Sequence, residues 1–272
     1  MEPPREVLAY YDQFPEESRL DSGPFQLEFA RTKDILARLL PPPPARIVDV
    51  GGAAGAYSGW LAGLGYEVHL LDTSARLVEE ARRLNATLAK PIASIAIGDA
   101  RSLPRPDGTA DVVLIMGPLY HLPSSADRAA ALREATRVLA TSGLVIVAAI
   151  SRYASALDGL ARGLAVDPEF VRIRNRDLLD GQHRNDTNRP DHFTTAYFHR
   201  PEDLRQELEA AGFQGVGVLG VEGPGWMLAD FENRWARPVL RADLMEVARA
   251  LEVEPSMLGA SAHLLGLGRR AL

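Results

Sequence analysis

Hydrophobic residues from position 46 onward form short apolar runs that alternate with longer amphipathic segments. The apolar runs are typical of buried strands and lie at Arg46–Val50, Glu67–Leu71, Ile92–Ile97, Asp111–Met116 and Leu144–Ile150. Segments with helical spacing separate them near Gly55–Gly65, Ser74–Asn85 and Ser125–Ala140. Because strands that alternate with helices form strand–helix–strand units, the pattern predicts a doubly wound α/β core around a mostly parallel sheet.

The chain on either side of this core has a different pattern. Before it, a helix is predicted over Glu6–Phe14, and a second follows Ser22-Gly23-Pro24 and stops at Pro41–Pro44. After the fifth strand come two amphipathic helices and a polar loop, and long loops inside compact domains are usually lids or binding loops. The remaining elements are predicted at Pro201–Ala211 (helix), Gln214–Val221 (strand), Met227–Leu251 (helices) and His263–Arg269 (strand).

Together these elements predict a Rossmann-like fold with seven strands, an N-terminal helical cover and a helical or loop lid inserted after strand 5. The predicted boundaries are a helical cap at 1–44, a ligand-binding core at 45–150, the lid insertion at 151–200 and completion of the same sheet at 201–272. We find no internal repeat and no second core.

Composition narrows the chemistry that such a fold can perform. The 272 residues include no cysteine, which excludes disulfides, thiolate nucleophiles and zinc–thiolate sites. The formal net charge of −6 disfavours a surface that tracks phosphates, so no nucleic-acid partner is expected. With no apolar run of about 18 residues, no membrane partner is expected either, and a cytoplasmic monomer or homodimer is the default expectation.

A small-residue turn joins the first predicted strand to the first helix of the core. It comprises Gly51, Gly52, Ala53, Ala54 and Gly55, preceded by Asp49. Small residues let a ligand approach the backbone, and the N–H groups at the start of the following helix favour polar ligand groups. Such a turn is weak evidence alone, because a tight strand–helix connection needs no ligand.

Two further acids strengthen the case for a ligand. Asp72 ends the second strand about 20 residues beyond the first glycine, where a carboxylate can bind ribose hydroxyls, although it or Ser74 could equally cap the next helix. Asp99 follows the third strand. Because ligands of open parallel sheets bind outside the carboxyl ends of the strands, Asp49, Asp72 and Asp99 are expected to converge on one ligand.

With these residues the chain resembles the class I S-adenosylmethionine-dependent methyltransferases, mainly over residues 46–150. The sequence Val48-Asp49-Val50-Gly51-Gly52-Ala53-Ala54-Gly55 resembles the first motif of that family, and Asp72 matches its ribose-binding acid. Asp99-Ala100, Leu103-Pro104 and Asp111-Val112-Val113-Leu114 resemble the motif that holds the adenine edge. The resemblance implies S-adenosylmethionine as cofactor, S-adenosylhomocysteine as product and a small-molecule methyl acceptor.

Two positions depart from the family pattern. Ala53 stands at a usual glycine position, which is tolerable if its φ angle is negative. Ala140-Thr141-Ser142-Gly143 replaces the usual turn that contains a basic residue and proline before the fifth strand. Neither departure is expected to prevent cofactor binding.

Two alternatives remain open from the sequence. A nicotinamide-dependent dehydrogenase shares the glycine turn and the acid, but the dinucleotide fingerprint Gly-x-Gly-x-x-Gly is matched here at only one of its three glycine offsets. A protein that binds S-adenosylmethionine without transferring its methyl group is the second alternative. Asp49 before the turn and Asp99 after the third strand favour the methyl donor over the dinucleotide.

The N-terminal helices add two expected cofactor contacts. Tyr11 and Arg31 resemble positions that close over the cofactor and bind its methionine carboxylate in small-molecule methyltransferases. A guanidinium can donate two parallel hydrogen bonds to a carboxylate. A solvated helix charge is the alternative for Arg31. The full set of expected cofactor-binding residues is Tyr11, Arg31, Asp49, Gly51, Gly52, Ala53, Gly55, Asp72, Thr73, Asp99, Ala100, Arg101, Met116, Gly117 and His121.

The acceptor side is expected after the fourth strand and in the insertion. Tyr120, His121 and His199 are the candidate catalytic groups, and His121 could accept a proton or contact the cofactor. Residues expected to form the acceptor pocket are Tyr10, Phe14, Tyr120, Arg152, Tyr153, Tyr197, His199 and Trp226, any of which could instead be core. No metal site is expected, because the histidines of the insertion have irregular spacing.

Overall fold

The computed structural model describes residues 5–13, 16–187 and 189–271. Its helices are α1 (Arg5–Gln13), α2 (Phe25–Leu39), α3 (Ala56–Leu64), α4 (Ala75–Asn85), α5 (Ser125–Val138), α6 (Ala154–Arg162), α7 (Pro168–Asp180), α8 (Pro201–Ala210), α9 (Phe231–Ala236) and α10 (Pro238–Leu251). Its strands are β1 (Arg46–Val50), β2 (Glu67–Asp72), β3 (Ser94–Ile97), β4 (Ala110–Ile115), β5 (Leu139–Ser151), β6 (Gln182–His183), β7 (Ala196–His199), β8 (Phe213–Gly220) and β9 (His263–Arg270). Short 3₁₀ helices include Glu16–Asp21 and Pro118–His121.

The sheet has the predicted Rossmann-like organisation. Its main part runs β3-β2-β1-β4-β5-β9-β8. The first five of these strands are parallel, β9 is antiparallel to β5, and β8 is antiparallel to β9. This arrangement confirms the predicted α/β fold class.

Two short strands add to the seven that the pattern predicts. β7 pairs in parallel with the last two residues of β5, and β6 pairs antiparallel with β7. They lie in the insertion, which the sequence predicted to be a loop after two helices. The strands have only two and four residues, too short to show an alternating pattern.

Apolar residues cover both faces of the sheet, as a doubly wound fold requires. One face packs against α5 and α8 through side chains such as Leu132 and Leu204. The other packs against α2, α3 and α4 through Ile35, Leu61 and Ala81. All five of these side chains are fully buried.

The N-terminal helix rests on the insertion rather than standing alone. The Thr194 hydroxyl donates to the Glu6 carbonyl oxygen at 3.2 Å, and the Thr195 hydroxyl donates to the Glu6 carboxylate at 3.1 Å. The rings of Tyr10 and Phe193 also meet edge to face. These contacts hold α1 over the carboxyl ends of the strands. Within the described part of the chain, no helix is long and apolar enough to cross a membrane.

Candidate active site

The turn after β1 is shaped by the space around it. The Gly51 amide donates to the Leu71 carbonyl at 2.7 Å, which places the turn beside the end of β2. Gly51 has a φ of +76°, and a Cβ at this position would lie 2.2 Å from Cδ of Pro118. Only glycine fits there, because both the backbone conformation and the contact exclude a side chain.

Ala53 has a left-handed backbone conformation, with a φ of +47°. The condition of a negative φ, under which an alanine is tolerable at this position, is therefore not met. The conformation directs the Ala53 amide to Oδ2 of Asp72, to which it donates at 2.9 Å. A hydrogen bond between the two loops thus accompanies a conformation that L-residues adopt at a cost.

Asp72 joins the loops that follow β1 and β2. Its second oxygen accepts from the Ser74 amide at 2.8 Å, and Ser74 itself caps α4 by accepting from the Leu77 amide. Burial raises the pKa of Asp72, against the lowering effect of the backbone amides of Ser74, Ala53 and Thr73. Ser74 therefore caps α4, and each Asp72 oxygen keeps acceptor capacity for a ligand.

Asp99 is paired with Arg101 at the end of β3. Arg101 donates to it from its backbone amide at 2.8 Å and from Nη2 at 2.6 Å. Burial alone would raise the pKa of Asp99, but the hydrogen bonds from Arg101 hold the pKa below its ordinary value. A charged carboxylate consequently stands beside the end of β2.

These loops surround one cavity of about 650 Å³, within the range of roughly 300–1,000 Å³ that is common for small-molecule sites. The structure brings most of the expected cofactor residues to its wall. Those that line it are Tyr11, Gly51, Gly52, Ala53, Asp72, Thr73, Asp99, Ala100, Arg101, Met116, Gly117 and His121. Tyr120, expected on the acceptor side, lines it as well.

Asp49 and Gly55 lie behind the cavity wall. The Asp49 carboxylate is fully buried and accepts from the Ser58 hydroxyl at 2.6 Å, while its Oδ1 has no hydrogen-bond partner. Burial raises its pKa to about 6. Gly55 has a φ of +91° at the start of α3, which accounts for a glycine there. The structure thus corrects the expectation that these two residues contact the ligand.

Arg31 also lies away from the cavity, and its expected role is corrected. Its fully buried guanidinium donates to the Val221 carbonyl at 3.1 Å and to Glu252 at 2.5 Å, and it also pairs with Asp34. Arg38 binds the same Glu252 carboxylate. Arg31 therefore ties α2 to the residues around α10 instead of facing a ligand.

His121 forms a hydrogen-bonded pair with Tyr11 inside the cavity. Nδ1 lies 3.2 Å from the Thr195 carbonyl oxygen, and Nε2 lies 2.8 Å from the Tyr11 hydroxyl. Because a carbonyl can only accept, Nδ1 carries the proton and Nε2 accepts from Tyr11. Burial lowers the pKa of His121 to about 4, so the imidazole is neutral near pH 7.

The prediction that residues of the insertion form the wall of the acceptor pocket is wrong for the described residues. Among residues 151–187 and 189–200, none lines the cavity. His199 is fully buried with Nε2 3.4 Å from Glu207, and Arg152 donates to the Phe198 carbonyl at 2.8 Å. Tyr197 lies under the Arg128 guanidinium at 3.7 Å from the ring centroid. These side chains hold the insertion to α5 and α8.

Three other predicted acceptor residues also lie outside the cavity wall. Tyr10 packs its ring edge on Tyr11, so it supports the wall from behind. Tyr153 occupies space against Gly259, and Trp226 donates to the Ala260 carbonyl at 2.9 Å. Phe14 lies outside the described residues.

Sequence reasoning missed several residues that line the cavity. Glu16 and Arg19 come from the short helix between α1 and α2, where the sequence pattern predicts no element. Tyr57 and Trp60 come from α3 directly after the glycine turn. Their spacing of three residues, one helical turn apart, was the available signal.

A buried ionic cluster lies beyond Arg19. Glu28 accepts two hydrogen bonds from Arg19, and Glu28, Glu222 and His263 place ligand-type atoms within 4.8 Å of one another. Burial alone would lower the pKa of His263, but Glu28 and Glu222 raise it to about 9. The imidazolium and the guanidinium thus compensate the two carboxylates.

Comparison with known proteins identifies the class of this domain. Residues 48–147 match the profile of a family described as a methyltransferase domain. No curated protein sequence matches the chain. The matched segment begins before the glycine turn and includes Asp72, Asp99 and His121.

Solved structures of methyltransferases share the fold. A S-adenosylmethionine-dependent methyltransferase from Mesorhizobium loti is 20% identical with a TM-score of 0.58, over 90% of this chain and 100% of that one. One from Thermotoga maritima, described as a possible histamine N-methyltransferase, is 18% identical with a TM-score of 0.56, over 97% and 98%. A putative methyltransferase of Haloferax volcanii, in complex with the activator Trm112, is 17% identical with a TM-score of 0.59, over 98% of both chains.

Residues 48–147 match a methyltransferase domain, and this match together with the shared fold supports S-adenosylmethionine as the cofactor. The residues that line the cavity fit S-adenosylmethionine. The cavity joins a glycine turn where a Cβ would collide with Pro118, a carboxylate at the end of β2 and a second carboxylate after β3. This donor set suits a nucleoside with vicinal hydroxyls, and the resemblance to the methyltransferase family stands over the dehydrogenase alternative.

Proposed function

We propose that this protein transfers the methyl group of S-adenosylmethionine to a nitrogen or oxygen atom of a small molecule. The observation that carries the proposal is the position of the N-terminal segment. Val7, Leu8, Leu20 and Phe29 line the same cavity as the glycine turn, so the N-terminal segment narrows the space beside the cofactor loops. A narrowed space of this size suits a small acceptor better than a macromolecule.

Within that site we assign cofactor binding to the residues at the strand ends. Asp72 binds the ribose hydroxyls, Asp99 and the Ala100 amide hold the adenine, and the backbone of Gly51 and Gly52 contacts the methionine portion. These roles follow from the family resemblance and from the common cavity that these residues line. Arg31, Asp49 and Gly55 are not included.

The cofactor supplies an electrophilic methyl group on a sulfonium, so the protein mainly aligns the acceptor with it. Tyr11 and Tyr120 line the cavity and orient the acceptor. Because the Nε2 lone pair of His121 accepts from Tyr11, His121 fixes the Tyr11 hydroxyl instead of taking a proton from the acceptor directly. His121 is therefore a positioning residue in this proposal.

Calorimetric titration tests the cofactor half of the proposal. We expect S-adenosylmethionine and S-adenosylhomocysteine to bind and NAD not to bind. Asp72→Ala should weaken the binding of both nucleosides about tenfold or more, since the substitution removes charge-assisted hydrogen bonds to them. Exposed Asp243→Ala is the matched control and should bind as the wild type does.

Methyl transfer itself is tested by incubating the protein with methyl-labelled S-adenosylmethionine and pooled small metabolites. Label in a low-molecular-weight product supports the proposal. Label only in protein or RNA added in parallel would contradict it. Tight cofactor binding with no transfer to any added fraction would favour the non-methylating alternative.

A further inference from the structure

Glu16 places a half-satisfied carboxylate in the wall of the cavity. Its side chain is 13% exposed, and its Oε1 accepts from Nε of Arg19 at 2.8 Å. Among the described residues no donor reaches Oε2. A carboxylate oxygen without a protein donor, on a residue that lines a ligand cavity, can accept a hydrogen bond from a donor on the ligand.

Arg19 does not cancel the negative charge at this end of the cavity. It is shared between Glu16 and Glu28, with Nη1 and Nη2 at 2.6 and 3.0 Å from the Glu28 oxygens. Asp72 adds further negative potential, and burial is the main cause that raises the pKa of Glu16. A carboxylate in such a setting gains from a cationic ligand group.

The rest of the cavity wall offers no free cation among the described residues. Arg101 pairs with Asp99, and Arg83 pairs with Glu80 at 2.9 Å. The ionisable residues that line the cavity are the acids Glu16, Asp21, Asp72, Glu80 and Asp99 and the bases Arg19, Arg83 and Arg101. The excess of carboxylates favours cations over neutral or anionic ligands.

Tyr120 supplies the apolar and polar surface beside this carboxylate. Tyr120 lines the same cavity as Glu16, and burial together with the negative charge of Glu16 raises the pKa of its hydroxyl. Tyr11 lines the same wall, with its hydroxyl donating to His121. Aromatic faces beside a carboxylate are a common setting for ammonium groups, since ring faces also attract cations.

We propose that Glu16 and Tyr120 form an ammonium subsite, so that the methyl acceptor is a small amine and Glu16 receives its proton. This inference rests on the proposed methyltransferase function and narrows it from nitrogen or oxygen to an amine nitrogen. It also assigns a role to the segment between α1 and α2.

The reaction balances without any further reactant. The ammonium group of the acceptor gives one proton to the Glu16 carboxylate and becomes a neutral amine. The amine lone pair then forms the N–CH₃ bond as the S–CH₃ bond breaks, and that electron pair stays on sulfur. The products are S-adenosylhomocysteine and a methylated ammonium ion, and Glu16 releases its proton to solvent.

The test compares amines with alcohols of the same carbon skeleton. Protein saturated with S-adenosylhomocysteine is titrated with a panel of such pairs, including 2-phenylethylamine and 2-phenylethanol. In wild type we expect at least one amine to bind about tenfold more tightly than its alcohol, as a charge-assisted hydrogen bond produces. Glu16→Gln should abolish that preference while leaving S-adenosylhomocysteine affinity within about twofold. The exposed Asp12→Asn removes the same charge four positions away in sequence and should retain the preference.

The outcomes separate this inference from the proposed function. Alcohols binding as well as amines, or no amine binding to the loaded protein, would overturn the subsite. A Glu16→Gln variant that loses S-adenosylhomocysteine affinity but keeps the amine preference would assign Glu16 to the ammonium group of the cofactor, which also overturns it. Failure of wild type to bind S-adenosylhomocysteine would reject the proposed function instead.

Discussion

Ala53 forms its hydrogen bond to Asp72 in a left-handed conformation that costs an L-residue energy. A left-handed conformation costs an alanine about 1–2 kcal/mol, and a glycine pays only the larger backbone entropy of about 0.5–1 kcal/mol. We therefore expect Ala53→Gly to raise the free energy of unfolding by about 0.5–1 kcal/mol. Urea denaturation measures the change, and the amide bond to Asp72 should be retained.

Ala54 offers a control for that substitution in the same turn. It is not among the residues with positive φ, so Ala54→Gly should lower stability by about 0.5–1 kcal/mol through backbone entropy alone. The same sign for both variants would show that the conformation of Ala53 is not strained.

The protonation state of His121 follows from its two neighbours and its burial. We expect the imidazole to carry its proton on Nδ1 and to remain neutral as pH falls until about pH 4. Nitrogen-15 chemical shifts of the labelled ring report both tautomer and titration. A midpoint near the ordinary value of about 6.5 would show that the imidazole is solvated and that the Tyr11 contact does not persist.

For single residues, the sequence predicted a place in the cavity wall when the residue ends a strand or follows it within two positions, as Asp72, Asp99 and Gly117 do. It failed for Arg31 and His199, because residue type alone does not distinguish a ligand contact from a buried ion pair. Both side chains are fully buried beside a carboxylate of another element, Glu252 for Arg31 and Glu207 for His199. Only the packing of separate elements decides between the two roles.

Helix α2 contacts the C-terminal region through ion pairs between side chains as well as through apolar contacts. We expect Arg31→Ala to lower the free energy of unfolding by about 3–5 kcal/mol, since it removes the fully buried guanidinium that binds Glu252, Asp34 and the Val221 carbonyl oxygen. The affinity of the folded variant for S-adenosylhomocysteine should not change. Thermal unfolding with and without the nucleoside measures both effects.

Arg38 is the matched control on the same helix, because it binds the same carboxylate but is 37% exposed. Arg38→Ala should lower stability by about 1 kcal/mol or less. A selective loss of nucleoside affinity in the Arg31 variant, with stability unchanged, would restore the cofactor role that the structure removes.

Among elements, the sequence predicted those with long periodic patterns. β1 has the predicted bounds, and β5 begins at Leu139 instead of Leu144 because α5 ends at Val138 and the chain pairs at once with Ala110. The short helix Glu16–Asp21 has too few residues for a pattern and follows a proline, yet it supplies Glu16 and Arg19 to the cavity. Short elements of this kind are fixed by long-range contacts.

At the scale of the whole molecule, the cavity is closed by parts of the chain that are far apart in sequence. α1 lies over the strand ends because Thr194 and Thr195 of the insertion bind Glu6, and Thr195 also accepts from His121. The insertion therefore contributes to the site through the N-terminal cover rather than as its wall. No local pattern contains that information, since the contacts join residues nearly 190 positions apart.

Three buried groups give the whole protein a stability that depends on pH. The folded-state pKa of His263 is raised to about 9, so its contribution is complete below about pH 6.5 and is lost as pH rises to about 9. The pKa of Asp49 is raised to about 6, so its contribution has the same sign as that of His263. The contribution is complete below the ordinary pKa of an aspartate and is lost as pH rises to about 6. His121, lowered to about 4, has the opposite sign, and its contribution is lost as pH falls from about 6.5 to 4.

The contributions of Asp49 and His121 largely offset each other between about pH 4 and 6. We therefore expect the free energy of unfolding to be greatest near pH 6.5 and to fall by about 3 kcal/mol as pH rises to 9, because the pKa of His263 is raised from about 6.5 to about 9. Urea denaturation across this range measures the decline. His263→Gln removes the titrating imidazole but keeps a donor for Glu222, so it should flatten the curve above pH 6.5 and leave the acid side unchanged. An equal alkaline decline in that variant would show that the ionic cluster of Glu28, Glu222 and His263 is not its source.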